Sequence, residues 1–169
     1  VHDGPEVHYA DTVAVESAAE MLAAVEGAVP EADALISAAA ISDYTVETAD
    51  TKLRSGEPRT LELEPTPKLL DSIRQAHPDL PMVGFKAETS GDDSEMVDHA
   101  AALRDRVDLA FVVANDASVM GDADTRALLV DPDSESPADC ETVVGTKQRL
   151  GDRVARRLTA ELVASTEPT

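Results

Sequence analysis

Three apolar runs leave this chain few folds to choose from. Ala32–Ala40, Leu80–Lys86 and Leu109–Ala114 each read as a short strand with little polar alternation, and helical spacing fills the stretches between them. A sheet with one wet face alternates apolar and polar residues, so strands this uniformly apolar need cover on both faces. Crossover helices of a parallel sheet provide that cover. The expectation is therefore an α/β fold with a largely parallel sheet.

The flanking segments fit this frame. Thr12–Val15 alternates and reads as a strand, and Ser17 and Glu20 have capping-box spacing ahead of Met21, Leu22, Val25 and Val29, which predicts a helix. Thr60–Glu64 alternates as a half-exposed strand. Thr66 and Pro67 then read as the N-cap and first residue of a helix that ends before Pro78. Helical spacing returns from Ser94 to about Arg106 and from Thr146 to about Ala164. Between these, Arg126–Val130 and Glu141–Val144 predict a hairpin across the acidic loop Asp131–Asp139, placed either as an extension of the sheet edge or as an arm reaching another subunit. No internal repeat is present.

Charge removes several classes of partner. The chain has 34 acids against 14 lysines and arginines, a formal charge of −20. A binder of nucleic acid or of an anionic membrane surface needs the opposite balance. The aromatics Tyr9, Tyr44, Phe85 and Phe111 offer little for stacking bases. Such an acid excess points to an intracellular, cytoplasmic protein adapted to high salt. The single Cys140 forms no internal disulfide, and no apolar run reaches the roughly 20 residues that span a bilayer. His2, His8, His77 and His99 lack zinc-ligand spacing. The opening Val1 and the loop-like residues after it suggest a chain that begins inside a longer polypeptide.

The candidate site starts where the first apolar run ends, at Ser37-Ala-Ala-Ala-Ile-Ser-Asp-Tyr44. Small side chains at a strand's carboxyl end let a ligand reach the main chain, and Asp43 can accept its hydrogen bonds; ligands of open α/β sheets bind at such ends. A buried strand with a turn-capping aspartate explains the same residues. The cluster Lys52-Leu53-Arg54 is conspicuous in a chain with four lysines. It is either a phosphate contact or a solvated loop. Pro67–Leu70 open a helix whose free N–H groups favour an anion, or a helix of no special purpose. Asn115 either lines a pocket or caps a turn.

Taken in order, Ser37–Tyr44, Lys52–Arg54, Thr66-Pro-Lys-Leu-Leu70, Val83-Gly-Phe-Lys-Ala-Glu-Thr89 and Val113-Ala-Asn-Asp116 resemble the phosphopantothenate–cysteine ligase family. The helix start at Gly145-Thr-Lys147 is similar to that family's carboxyl-terminal part. The resemblance implies a Rossmann-like, three-layer α/β/α homodimer, fused in the natural chain to a phosphopantothenoylcysteine decarboxylase. It implies that 4′-phosphopantothenate is activated by a nucleotide, CTP in the microbial branch, with Mg2+, and then joined to cysteine. Carried over residue by residue, it makes Lys52 the catalytic cation. Ser37, Ala38, Ala39, Asp43, Pro67, Lys68, Leu69, Leu70, Phe85 and Asn115 become nucleotide or substrate contacts, with Phe85 beside the base. Lys86 stands where many relatives of that family carry a small residue, so the resemblance assigns it no role; a second phosphate contact is the expectation for it. The family also places lysines on the helix before the Leu109–Ala114 strand, where this chain has Arg104 and Arg106. The family's glycine-rich opening and its Ser-Ser-Gly stretch have no counterpart here, so residues 1–169 read as a single, N-terminally truncated ligase domain. Two other classes fit less of the pattern. One is a noncatalytic nucleotide-binding module. The other is a dinucleotide-dependent oxidoreductase, which the absence of Gly-x-Gly-x-x-Gly opposes.

Overall fold

The protein is described by a computed structural model covering residues 9–46, 56, 60–89, 92–117 and 124–166. In chain order the elements are α1 (Ala18–Ala28), β1 (Leu35–Ser37), β2 (Tyr44–Val46), β3 (Leu63–Pro65), α2 (Leu69–Ala76), β4 (Met82–Glu88), α3 (Asp93–Val107), β5 (Phe111–Asp116), β6 (Asp124–Val130), β7 (Glu141–Thr146) and α4 (Lys147–Thr166).

The apolar runs become the sheet. Its order is β1-β4-β5-β6-β7, with β1–β4 and β4–β5 parallel and the last two pairings antiparallel. Both faces of β5 are buried, as its continuous apolar sequence requires. Val112 and Ala114 join a core with α1, α2 and α3, whereas Phe111 and Val113 join one with Leu150, Val154 and Leu158 of α4. Helices thus cover both sides of a mixed sheet in which four of five strands share a direction. The late hairpin takes the edge: β6 pairs with β5, and β7 lies outside it.

Some local expectations are corrected. Thr12–Val15 joins no ladder among the described residues, and Val13 is 70% exposed; alternation makes a strand only where a partner supplies hydrogen bonds. Thr66 does not cap a helix. Its hydroxyl donates to the Ser42 carbonyl and its N–H to the Asp43 carbonyl at 2.9 Å, so it ties down the chain after β1. The helix begins at Leu69, with Lys68 at the N-cap position and no side-chain cap. Tyr44–Val46, which sequence alone does not mark as a strand, pairs antiparallel with β3 in a separate two-stranded ribbon.

Helix ends follow local chemistry closely. Ser17 accepts from the Glu20 N–H at 3.1 Å, and Glu20 answers by accepting from the Glu16 N–H at 2.7 Å. Asp92 accepts from the Ser94 N–H at 2.8 Å, and α3 ends in Asp108 at φ 59°. Arg74 fastens α2 to α3. Its guanidinium donates to the Val107 and Asp108 carbonyls at 3.0 and 2.7 Å, and also to Pro78 O just past its own helix.

Candidate functional site

The carboxyl ends of β1 and β4 open into two hollows, one on each face of the sheet. A cleft of about 260 Å³ lies on the α2–α3 side. Its walls include Ser37, Ala39, Asp43, Pro67, Lys68, Leu69, Leu70, Phe85, Lys86 and Arg106. A larger, more apolar hollow of about 410 Å³ lies on the α4 side, with Ala38, Ala39, Ala40, Phe85, Asn115, Thr125, Lys147 and Leu150 in its walls. Every site residue named from sequence falls in one or both, except Lys52, which with Arg54 lies outside the described residues.

Three cations share the first cleft in a protein dominated by acids, and each is balanced by a carboxylate. Lys68 hydrogen-bonds Asp43. That bond, the charge of Lys68 and the more distant charge of Lys86 hold the Asp43 carboxyl below its usual range, against a smaller opposing effect of burial. Lys86 sits 3.5 Å from Glu88, which also meets His99 Nδ1 at 3.0 Å. Arg106 pairs with Asp71 at the cleft rim. Exposed pairs of this kind contribute about 0–1 kcal/mol each, so a polyanion can take over the cations at small cost. At the start of α2 the first N–H groups also have no side-chain cap.

The two arginines of α3 separate. Arg106 is exposed at the cleft, but Arg104 is 8% exposed, its guanidinium donating to the Asp131 carbonyl and, at 2.9 and 2.7 Å, to Asp105. Arg104 therefore ties α3 to the loop after β6, and Arg106 is the cation left for a ligand. The spacing of two arginines cannot make that distinction. Sequence reasoning passed over Thr125 and Leu150 in the second hollow and noted Lys147 only as part of the helix start Gly145-Thr-Lys147, not as a site residue.

Other reactive side chains are accounted for. Burial, the largest influence, pushes the Cys140 thiol up, and its Sγ donates to the Ser136 carbonyl at 3.4 Å, so it is a poor thiolate. Among the described residues no three acids, histidines or cysteines gather closely enough to hold a metal ion. No helix among them is long and apolar enough to cross a membrane.

Residues 3–162 match the family described as the DNA/pantothenate metabolism flavoprotein C-terminal domain. The chain belongs to that family. Among curated relatives, the coenzyme A biosynthesis bifunctional protein CoaBC of Thermococcus kodakarensis is 36% identical over 149 residues. That match covers 86% of this chain but 37% of the relative, so the family domain seen here spans little more than a third of that protein. Among solved structures, the DNA/pantothenate metabolism flavoprotein of Streptococcus pneumoniae superposes with a TM-score of 0.73 at 21% identity, covering 87% of this chain and 71% of the other. A Cab2 mutant in complex with phosphopantothenate-cysteine gives 0.67 at 20% identity over 91% of this chain and 54% of the other. These structural likenesses bear on the fold, which is the Rossmann-like domain of the family.

Proposed function

We propose that this domain is the phosphopantothenate–cysteine ligase part of a coenzyme A biosynthesis protein. The observation that carries the reading is the meeting of a cleft with three cations and an apolar hollow at the strand ends, in a chain whose cations are otherwise scarce. The family membership and the ligand named for the Cab2 complex support it.

The cationic cleft suits a nucleoside triphosphate, CTP by resemblance. A carboxylate oxygen of 4′-phosphopantothenate attacks the α-phosphorus and pyrophosphate leaves. The cysteine amine then attacks the acyl carbon, the nucleoside monophosphate departs and the amine loses a proton. Charge develops on the departing phosphates, where Lys68, Lys86 and Arg106 stand and where Lys52 is assigned from the family. Fixed cations and donors at such a point are worth about 3 kcal/mol each in a desolvated site. The described acids do not form a magnesium cage, since Asp43 and Asp71 already serve Lys68 and Arg106. Magnesium is accordingly expected to arrive on the nucleotide.

The relatives' bifunctional name supports fusion to a decarboxylase in the natural chain, and a cytoplasmic homodimer completes the proposal. The test is pyrophosphate release by the natural full-length protein in high salt with magnesium, using CTP or ATP with phosphopantothenate, followed by product formation on adding cysteine. Release with CTP exceeding that with ATP is the expected result. Nucleotide binding with no release would replace the ligase with a noncatalytic nucleotide-binding module.

A further inference from the structure

We propose that Glu88 and His99 are positioning residues that set, through one proton, how freely Lys86 meets a phosphate in the cationic cleft; this rests on the reading of that cleft as the place of the nucleotide's phosphates. Glu88 Oε1 is the shared point, 3.5 Å from Lys86 Nζ and 3.0 Å from His99 Nδ1. The Glu88 side chain is 15% exposed, against 43% for Lys86 and 56% for His99. A carboxylate so withdrawn from water needs a partner, and here two groups compete for one of its oxygens.

The fold explains why the three meet. Side chains alternate along β4, so Gly84, Lys86 and Glu88 share the face toward α3, where a Cβ on Gly84 would lie 3.5 Å from Leu103. His99 precedes Leu103 by one turn on the same stripe of α3 and so comes over Glu88. Lys86 and Leu103 belong to the cleft wall, and the charge of Lys86 helps to hold the Asp43 carboxyl across it below its usual range. Glu88 and His99 stand behind that wall and act through Lys86.

The charges around this trio come from four elements. Asp116 of β5 lies opposite Glu88 and attracts Arg126 of β6, which is bound to Asp93 at the start of α3. On α3 itself, Glu95 stands one turn before His99, and Arg106, paired with Asp71 of α2, stands two turns after it. Carboxylates, lysines and arginines as classes change charge outside pH 5.5–8, whereas imidazoles change it within that range. With His99 neutral, the Glu88 carboxylate holds Lys86. When His99 takes a proton from solvent, the imidazolium claims the same oxygen and repels the ammonium, so Lys86 is released to the cleft. Affinity for a phosphate anion therefore rises as pH falls.

The test is calorimetry on the natural full-length protein at fixed KCl, with the magnesium complexes of CTP and of inorganic pyrophosphate as probes. The ratio of wild-type to His99→Gln affinity should rise about three- to fivefold from pH 8 to pH 5.5, the worth of one partly exposed ion pair. Protonation of the probes and of other histidines is common to both proteins and cancels in that ratio. His99→Arg, with a fixed charge, should keep at pH 8 the affinity that the wild type shows at pH 5.5. Glu88→Gln, which no longer holds Lys86, should bind equally well at both; if it does not fold, His99→Arg carries the comparison. In a Lys86→Gln background the change His99→Gln should have no effect, which closes the double-mutant cycle. Parallel pH curves for wild type and His99→Gln overturn the proposal. A response to His99 that survives without Lys86 also overturns it, because the imidazolium would then meet the anion itself. Failure of either probe to bind at pH 5.5 removes it together with the phosphate reading of the cleft. The expected pH response in a wild-type protein that releases no pyrophosphate from CTP would sink the ligase reading and leave the Lys86 control standing.

Discussion

Ala39 and Phe85 each line both hollows, and no other described residue does so in these walls. The pairing register explains the junction. Ser37 on β1 lies opposite Gly84 on β4, so the chain leaves β1 in small residues beside Phe85, which packs against the α4-side core and lines both hollows. A ligand that spans the cleft and the hollow must pass this pair.

Filling the junction should therefore separate activity from stability. Ala39 is exposed and lies beyond the ladder of β1, so Ala39→Leu adds bulk with little effect on the core. Turnover by the full-length protein is expected to fall at least about a hundredfold, as misplacement of reacting groups by about 1 Å can do. The melting temperature should stay within a degree or two. Wild-type kcat/KM in the variant would mean that no ligand crosses between the hollows.

Gly84 sets the cleft floor. A Cβ built there lies 2.8 Å from Leu109 Cδ1 and 3.5 and 3.6 Å from Leu103 and Leu70, two residues of the cationic cleft. Gly84→Ala should destabilise the fold by about 1–3 kcal/mol, the usual cost of overpacking. Chemical denaturation would read this as a lower midpoint at an unchanged slope. An unshifted midpoint would show that Leu109 moves aside freely.

Much of this arrangement was legible in the sequence, and what was not has physical causes. The β4 and β5 runs became the buried middle of the sheet because continuous apolar sequence demands cover on both faces. The capping signal at Ser17 also holds, its side chain accepting from the Glu20 N–H. Thr66 misled because its hydroxyl had a tertiary acceptor at Ser42, which local spacing cannot reveal. Tyr44–Val46 was too short to carry a periodic signal, and its strand identity depends on β3. Arg104 and Arg106 differ only in what lies across from them, the Asp131 carbonyl in one case and an open cleft in the other.

Arg126 and Asp93 test an ion pair between the sheet and a helix start. Their bidentate contact, at 2.7 and 2.6 Å, joins β6 to the first turn of α3. The bond from Arg126 is the main reason the Asp93 carboxyl is held below its ordinary range. A carboxyl depressed on folding stabilises above the unfolded pKa, and that contribution is lost as pH falls through the folded one. Asp93→Asn should cost up to about 1 kcal/mol at pH 7, since the pair is partly exposed. The gap between wild type and variant should close below about pH 4, where the carboxyl begins to titrate. A gap that persists at pH 2 would assign the loss to packing.

Lys52→Gln should lower kcat in the full-length protein by about a hundredfold or more, the range for removing one group that meets charge in the transition state. Stability should change little and Arg54→Gln should have the smaller effect on rate. Equal turnover at saturating nucleotide would remove Lys52 from the chemistry, and cooperative unfolding of the variant at room temperature would make it a structural lysine.

The last prediction concerns salt and follows from the charge alone. Among the described residues, ion pairs engage half of the chain's 14 lysines and arginines, while the acids exceed the cations by 20. Salt screens both kinds of interaction, so the sign depends on which is larger. Exposed pairs contribute about 0–1 kcal/mol each and are already partly screened at 0.1 M. Repulsion acts among all the unbalanced acids and is greater on the compact surface than along the extended unfolded chain. The Debye length contracts from about 10 Å at 0.1 M to about 3 Å at 1 M, which removes repulsion between neighbouring acids on the surface while leaving direct contacts partly intact. The melting temperature should therefore rise steadily from about 0.1 to 2 M KCl, the range in which that contraction occurs. Chloride is the right anion because sulfate strengthens apolar burial in any protein, and a parallel sucrose series separates screening from surface exclusion. A melting curve that stays flat or moves down with KCl would return the acid excess to a solubility role, whereas a rise in KCl well beyond that in sucrose would identify charge repulsion as what the salt relieves.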